Sequence, residues 1–145
     1  MFQRILVPTD GSDLSERAAL AAIEFAKSVG AEVVAMTATP AFHAFSADPE
    51  MLEQTREQYA QSSRQSGQQV LDWVSAAARD AGVPCTCVQV VSDDPHDAII
   101  SAAREHRCDL IAMASHGRRG IKGLLLGSET QKVLVHSAIP VLVYR

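Results

Sequence analysis

The sequence lacks the features that mark membrane, secreted and nucleic-acid-binding proteins. No apolar run reaches the ~18 residues that a membrane-spanning helix needs. Three cysteines, an odd number without regular spacing, form no disulfide framework. The net charge of −4 excludes the basic excess typical of nucleic-acid-binding domains. Together with the lack of an N-terminal signal segment, these absences predict a cytoplasmic protein without a nucleic-acid or membrane partner.

The length and composition predict one globular domain, 1–145. Hydrophobic residues make up 47% and charged residues 21% of the 145 positions, an ordinary globular mix. Two of the cysteines, Cys85 and Cys87, alternate along a strand-like run, so their side chains are expected on one face. We interpret both as small apolar residues of the core. A metal or redox role is the less favoured alternative.

Strand and helix patterns alternate along the chain. Apolar runs predict strands at 5–7, 33–38, 85–91, 110–114 and 141–144. Helical spacing in the four intervals predicts helices that end near Val29, Ala81, Arg107 and His136. The alternation predicts an α/β fold, a five-stranded parallel sheet with helices on both faces. In such a sheet, ligands bind past the carboxyl ends of the strands, where the strand order reverses.

Polar residues predict where three of the helices begin. Asp13 with Glu16 resembles a capping box. Asp94 precedes a proline and is expected to cap the third helix. Ser128, with Gln131 three residues later, is expected to cap the last helix. Each of these helices therefore has a side-chain acceptor available for its unpaired N–H groups.

The stretch from Ala114 to Ser128 carries the clearest chemical signal, because it is rich in glycine and connects a strand to a helix. It contains four glycines and a small basic run: Gly117, Gly120, Gly123 and Gly127, with Arg118, Arg119 and Lys122. Such a loop can wrap its backbone N–H groups around an anion, and the helix start adds about half a positive charge. The stretch predicts a phosphate site, and with it a nucleotide; plain loop flexibility is the alternative.

The whole chain resembles the universal stress protein family. The resemblance is carried by residues 5–12 (ILVPTDGS), 109–120 (DLIAMASHGRRG), 127–128 (GS) and 139–143 (IPVLV). It implies a Rossmann-like α/β fold with five parallel strands in the order 3-2-1-4-5. It also implies the ATP-binding motif Gly-x2-Gly-x9-Gly-(Ser/Thr).

Transferred to this sequence, the motif places its second and third glycines at Gly117 and Gly127 and its hydroxyl at Ser128. Ala114 stands where the motif has its first glycine. Because Ala114 closes a predicted strand, a negative φ is expected there, and the backbone then accepts alanine. Its methyl group is expected to approach the ribose or the α-phosphate.

The resemblance further implies that Pro8 and Asp10 lie beside the adenosine. Ala38 would line the adenine pocket with Met113 behind it. The full set of expected nucleotide-binding residues is Pro8, Thr9, Asp10, Ala38, Met113, Ala114, Gly117, Gly127, Ser128 and Glu129. No residue is assigned a catalytic or metal-binding role.

These features predict a small stress-response protein that binds ATP with Mg²⁺ and acts in regulation rather than metabolism. Hydrolysis of the bound ATP is expected to be slow at most. A homodimer is expected through the C-terminal strand, Val141, Leu142 and Val143, because the implied strand order puts this short apolar strand at the sheet edge.

Two other functions compete with ATP binding. Because Ala114 replaces the first glycine of the motif, it favours a dimeric interaction module of the same family that does not bind ATP. The segment 10–15 faintly resembles the loop of the adenine-nucleotide α-hydrolase enzymes, although its first two residues do not match. A hydrolytic triad of Asp10, Ser115 and His116 is disfavoured, because adjacent Ser and His side chains are expected to point apart on an extended backbone.

Overall fold

A computed structural model describes residues 1–43, 48–118 and 125–145. The strands are β1 (Arg4–Pro8), β2 (Glu32–Thr39), β3 (Cys85–Val91), β4 (Leu110–Ala114) and β5 (Val141–Tyr144). The helices are α1 (Asp13–Val29), α2 (Pro49–Ala81), α3 (Pro95–Glu105) and α4 (Ser128–His136). All the predicted elements are present, although α3 ends at Glu105 rather than near Arg107.

The five strands form one parallel sheet in the order β3-β2-β1-β4-β5, which confirms the predicted fold. β1 lies in the centre, where Ile5 pairs with Val33 of β2 and with Leu110 of β4. The strand order therefore reverses at β1. The connections that follow β1 and β4 leave the same edge of the sheet on opposite sides of this reversal, which is where parallel sheets bind ligands.

Two apolar clusters hold the helices against the sheet. Ile5 and Val7 pack with α1 and α2 on one face, and Leu6 and Ile111 pack with α3 and α4 on the other. All four side chains are fully buried. Burial of each contributes about 1.5–3 kcal/mol relative to leaving it exposed. The central strands are apolar at successive positions because both of their faces are covered.

Helix α2 is long and largely polar. It has 33 residues, and its buried members, Gly67, Leu71, Val74 and Ala78, all lie in its second half. That half packs on β2 and β3, and the first half is mostly exposed. Neither α2 nor any other helix in the described parts of the chain is long and apolar enough to cross a membrane.

Two of the capping predictions are wrong. Ser12, not Asp13, caps α1, because Ser12 has the extended backbone of a capping residue and its side chain accepts a hydrogen bond from the Ser15 N–H. Gly127, not Ser128, occupies the capping position of α4 and, as a glycine, has no side chain that could accept a capping bond. Asp94 does occupy that position in α3, but its side chain makes no capping bond either.

The interpretation of both Cys85 and Cys87 as core residues is also wrong. Cys85 is half-buried and packs against the cluster beneath α1 and α2, but Cys87 is exposed. β3 is an outer strand of the sheet, so one side of its surface has no neighbouring strand to cover it. Cys108, which precedes β4, is buried.

Candidate nucleotide site at the carboxyl edge of the sheet

Asp10 connects the two chain segments that leave the sheet at the reversal point. It follows β1, and its Oδ1 accepts a hydrogen bond from the Ser12 N–H at 2.9 Å. Its Oδ2 accepts a hydrogen bond from the N–H of Arg118, beyond the end of β4, at 2.8 Å. The strand ends predicted to face one crevice therefore do meet, and a carboxylate lies at their junction.

The environment of Asp10 keeps its carboxyl group ionised. Burial opposes ionisation, but the hydrogen bonds from Ser12 and Arg118 outweigh burial and lower the pKa of Asp10 below its ordinary value of 3.8. Thr9, next to it, is buried and turns toward α1, where its Oγ1 lies 3.0 Å from the Ser15 Oγ. Thr9 thus supports the turn, and Asp10 provides the negative charge at the crevice.

Glycine is required at Gly117 by the approach of Asp10. A Cβ atom at Gly117 would collide with the Asp10 carboxylate. Gly11, in the β1–α1 turn, has a φ of +77°, and a Cβ there would lie 2.9 Å from the Arg118 guanidinium. Both glycines therefore permit close contact between the two connections.

Pro8, Ala38 and Met113 lie at or near the carboxyl ends of β1, β2 and β4. Met113 is buried in the cluster beneath α3 and α4, and Ala38 packs against the same cluster. The structure thus brings Ala38 and Met113 to one face of the sheet. Pro8 pairs with Met36 of β2, two residues before Ala38.

Ala114 ends β4 without backbone strain. Among the described non-glycine residues only Arg107 has a positive φ, so the conformation at Ala114 does not require glycine. Ala114 is 7% exposed, and its carbonyl oxygen accepts a hydrogen bond from the Thr130 Oγ1 at 3.1 Å. This bond fixes the first turn of α4 to the end of β4.

Gly127 is favoured by a close approach rather than by an unusual backbone angle. Its φ is −69°, but a Cβ there would lie 3.1 Å from the His116 Cβ and 3.2 Å from the His116 Cα. Its N–H donates to the Ser115 carbonyl oxygen at 2.7 Å. The Gly127 N–H lies at the predicted phosphate position, so this donor already has a hydrogen-bond partner within the chain.

Glu129 has a structural contact that sequence reasoning missed. Its Oε2 accepts a hydrogen bond from the His96 N–H at 2.8 Å and lies 2.9 Å from the His96 Nδ1, so Glu129 of α4 caps α3 in place of Asp94. Although burial raises its pKa, the contacts with His96 and Lys132 lower the pKa of Glu129 overall. The contact joins residues 33 positions apart, and no local pattern signals it.

The expectation that Ser115 and His116 point apart is wrong. The Ser115 Oγ lies 3.2 Å from the His116 Nδ1, because the chain leaves its extended conformation directly after β4. Ser115 is nevertheless only 2% exposed, and the hydrogen bonds that Asp10 accepts come from the Ser12 and Arg118 N–H groups rather than from His116. A buried hydroxyl without a carboxylate behind the histidine does not form a hydrolytic triad.

Ser128 is the first residue of α4 and is exposed. It borders a shallow cavity of about 360 Å³ on the outer side of α4, which is lined by Leu126, Ser128, Gln131, Lys132, Val135 and His136. This cavity contains none of the other predicted site residues. Arg119, Gly120, Lys122 and Gly123 of the glycine loop lie outside the described residues.

Comparison with known proteins settles the family. A model of the universal stress protein family matches residues 1–145. This chain belongs to the universal stress protein family. The universal stress protein MJ0531 of Methanocaldococcus jannaschii is 32% identical over 145 residues, covering 100% of this chain and 83% of that protein.

Solved structures of universal stress proteins share the fold. MJ0577, from the same archaeon, superposes with a TM-score of 0.80 at 26% identity, over 99% of this chain and 95% of that chain. A universal stress protein in complex with cAMP superposes with a TM-score of 0.72 at 26% identity, over 99% and 97% of the two chains. The predicted family and fold are confirmed.

Proposed function

We propose that this universal stress protein binds an adenine nucleotide, ATP in particular, in the crevice between the connections that follow β1 and β4. Pro8, Asp10 and Ala38 would face the nucleoside. The glycine loop and the start of α4 would face the phosphates, with Gly117, Gly127 and Ser128 as the contacts. The protein would act in regulation, through its nucleotide-bound state, rather than in metabolism.

The meeting of Asp10 with the loop after β4 carries this proposal. An ionised carboxylate at the reversal point of a parallel sheet suits the hydroxyl groups of a ribose, which donate hydrogen bonds. Gly117 lets that carboxylate approach the backbone of the connection after β4, because a Cβ at this position would collide with it. The relative that binds cAMP has the same fold over 99% of this chain, which supports an adenine nucleotide as the ligand class.

The Mg²⁺ of the proposal would be held chiefly by the phosphates and by water. Within the described parts of the chain, no cluster of three or more His, Cys, Asp or Glu side chains is placed to hold a metal ion. Mg²⁺ in nucleotide sites keeps several waters and takes only one or two protein oxygens. Within the proposed site, the Asp10 carboxylate and the Ser128 hydroxyl would supply such oxygens, so the donor set fits.

Calorimetric titration tests the proposal directly. We expect Mg·ATP to bind with one nucleotide per chain, with AMP and cAMP as comparison ligands for the contribution of the phosphates. Mass spectrometry of nucleotide released from the purified, heat-denatured protein gives an independent result. The absence of heat and of a thermal shift at millimolar ATP, AMP and cAMP would contradict nucleotide binding.

An interaction module that does not bind ATP is the second candidate, and specific contacts favour it. The Arg118 N–H already donates to Asp10, and the Gly127 N–H already donates to Ser115. A nucleotide must displace or accommodate these bonds. If the titrations detect no binding, these internal hydrogen bonds explain why the crevice does not accept a nucleotide.

We further propose homodimerisation through β5. β5 is an outer strand of the sheet, and its four residues are all half-buried in the single chain. The N–H groups of Ile111 and Ser115 donate to the carbonyls of Pro140 and Tyr144, so the even-numbered residues of β5 face β4. The backbone N–H and C=O groups of Val141 and Val143 therefore point away from the sheet, where a second chain can pair with them.

Proline substitution tests the dimer. Val143→Pro removes an outward N–H donor and should shift the protein from twice 15.6 kDa to 15.6 kDa in light scattering. Leu142→Pro is the matched control, because it removes a donor that faces β4 and should instead lower the folding stability. A wild-type monomer at micromolar concentration would contradict the dimer.

A further inference from the structure

Two thiols share one face of the free edge strand β3. Cys85 and Cys87 pair with Val33 and Ala35 of β2, and both of those residues belong to the cluster beneath α1 and α2. The two thiols are therefore on the α2 side of the sheet. Cys87 is exposed and Cys85 is half-buried, so solvent reaches the pair at Cys87.

The contacts of the two thiols with nearby carbonyl oxygens are weak. The Cys87 Sγ lies 3.8 Å from the Leu71 carbonyl oxygen, and the Cys85 Sγ lies 3.9 Å from the Thr86 carbonyl oxygen. These are weak contacts of a weak donor. Cys85 also hydrogen-bonds the Cys87 side chain, and burial, then the charge of Cys87 and this bond, raise the pKa of Cys85 to about 11.

The strand geometry does not suit a disulfide between them. Residues two apart on a strand are separated by about 6.6 Å along its axis, and their side chains leave it in parallel. The Cβ atoms of a disulfide lie only about 3.5–4.5 Å apart. An inserted metal ion relaxes this requirement, because two metal–sulfur bonds of about 2.3 Å span sulfur atoms as much as about 4.6 Å apart.

The number of ligands selects the kind of metal. A structural zinc ion needs four ligands, whereas the described residues offer no group of three or more His, Cys, Asp or Glu that could hold a metal ion. Two thiolates without further ligands suit a soft cation, for which sulfur is the preferred donor. We propose that Cys85 and Cys87 form a two-coordinate binding site for Cu(I).

Binding is a proton exchange without electron transfer. Each thiol loses its proton to solvent, and each sulfur forms one bond to copper. One Cu⁺ and two thiols therefore give a bis-thiolate complex of net charge −1 and two protons. Copper remains Cu(I) throughout, so no oxidant or reductant is consumed.

Anaerobic titration of the reduced protein with Cu(I), in competition with a chromophoric Cu(I) chelator, tests the site. We expect uptake of one copper per chain. X-ray absorption of the loaded wild-type protein should show two sulfur neighbours and no shell of nitrogen or oxygen ligands. This measurement needs no substitution, so it holds even if a cysteine variant folds poorly.

Three variants assign the ligands. Cys85→Ser and Cys87→Ser should each lose the stoichiometric uptake, and circular dichroism verifies that both remain folded. Cys108→Ser is the matched control, because Cys108 is buried before β4 and should leave uptake unchanged. Nucleotide binding should be the same in all three variants, which separates this site from the crevice.

Three outcomes would overturn the proposal. The first is no copper uptake by the reduced wild-type protein. The second is loss of uptake in Cys108→Ser. The third is one copper per two chains with uptake retained by Cys85→Ser, since this would place the ion between the Cys87 residues of two molecules.

Discussion

The turn from β1 into α1 and the longer connection from β4 into α4 meet at Asp10, but the helices that follow them begin differently. In the β1–α1 turn, Thr9 contacts Ser15, Asp10 accepts from the Ser12 N–H, and Ser12 caps the helix. In the β4–α4 connection, the capping residue is Gly127, which has no side chain to cap α4.

In its described part, the second connection is held by bonds between its two ends and by one bond to α3. Gly127 donates to Ser115, Thr130 donates to Ala114, and Glu129 reaches across to His96 of α3. This difference indicates that the two connections contribute to the crevice in different ways. The β1–α1 turn is held by its own side chains, whereas α4 begins at a glycine, whose lack of a side chain leaves the first N–H groups of the helix to other partners, such as an anion.

The largest expected effect comes from Gly127→Val, which should abolish nucleotide binding. The branched side chain would press on His116, because a Cβ at position 127 lies only 3.1 Å from the His116 Cβ, and it would fill the space before α4. Titration with Mg·ATP measures the loss of affinity. Thermal unfolding without ligand measures the separate loss of folding stability from overpacking, which is expected to be about 1–3 kcal/mol. If the Val variant does not fold, Gly127→Ala should weaken binding less. A folded Val variant with wild-type affinity would refute the phosphate position.

Asp10→Asn removes the charge at the junction of the two connections. We expect nucleotide affinity to fall by about 1.5–3 kcal/mol, the usual value of a hydrogen bond to a charged group. Ser12→Ala is the control, since it removes the cap of α1 and a side-chain hydrogen bond to Asp10 but keeps the charge, and it should lower stability more than affinity. Equal nucleotide affinities of Asp10→Asn and the wild type would show that Asp10 holds the two connections together without contributing to nucleotide binding.

The same substitution should change the acid sensitivity of the fold. The pKa of Asp10 is lower in the folded protein than its ordinary value of 3.8. Its stabilising contribution is therefore complete above pH 3.8 and is lost as the pH falls through the lowered folded value. Denaturant unfolding of Asp10→Asn should thus show a weaker loss of stability on acidification. An unchanged pH profile would contradict this assignment.

Ala114→Gly should move affinity in the opposite direction to Gly127→Val. If the methyl group crowds the nucleotide, its removal tightens ATP binding by about 1–2 kcal/mol. The free energy of unfolding without ligand should fall by about 0.4–1 kcal/mol, because glycine loosens the unfolded chain. Calorimetry and denaturant unfolding measure the two effects. Unchanged ATP affinity in both Ala114→Gly and Gly127→Val would mean that this loop does not hold phosphate.

The smallest effect is expected from Glu129→Ala, which removes the bond between α4 and the start of α3. Loss of a helix cap costs about 1 kcal/mol of folding stability. Asp94→Ala is the matched control and should cost less, because the Asp94 side chain makes no capping bond. Chemical denaturation compares the two variants. A larger loss in Asp94→Ala would contradict the assignment of Glu129 as the cap.

The predicted elements needed only local information. The apolar runs of the strands and the helical spacing between them define the layers, because burial on both faces leaves a continuous apolar pattern. The strand order and the site residues came from resemblance to a family rather than from periodicity. The helix capping residues were predicted less well, since several polar residues adjoin each helix and the backbone decides which of them caps it.

By itself, the sequence determined the alternation of strands and helices, and its motifs identified the family. Only the tertiary structure decided that Asp10 reaches Arg118, that Glu129 caps a helix 33 residues away, and that Cys87 is exposed on an outer strand. Periodicity records which face of an element is buried. Contacts between distant segments depend on where the sheet order places those segments, and no short-range pattern encodes that position.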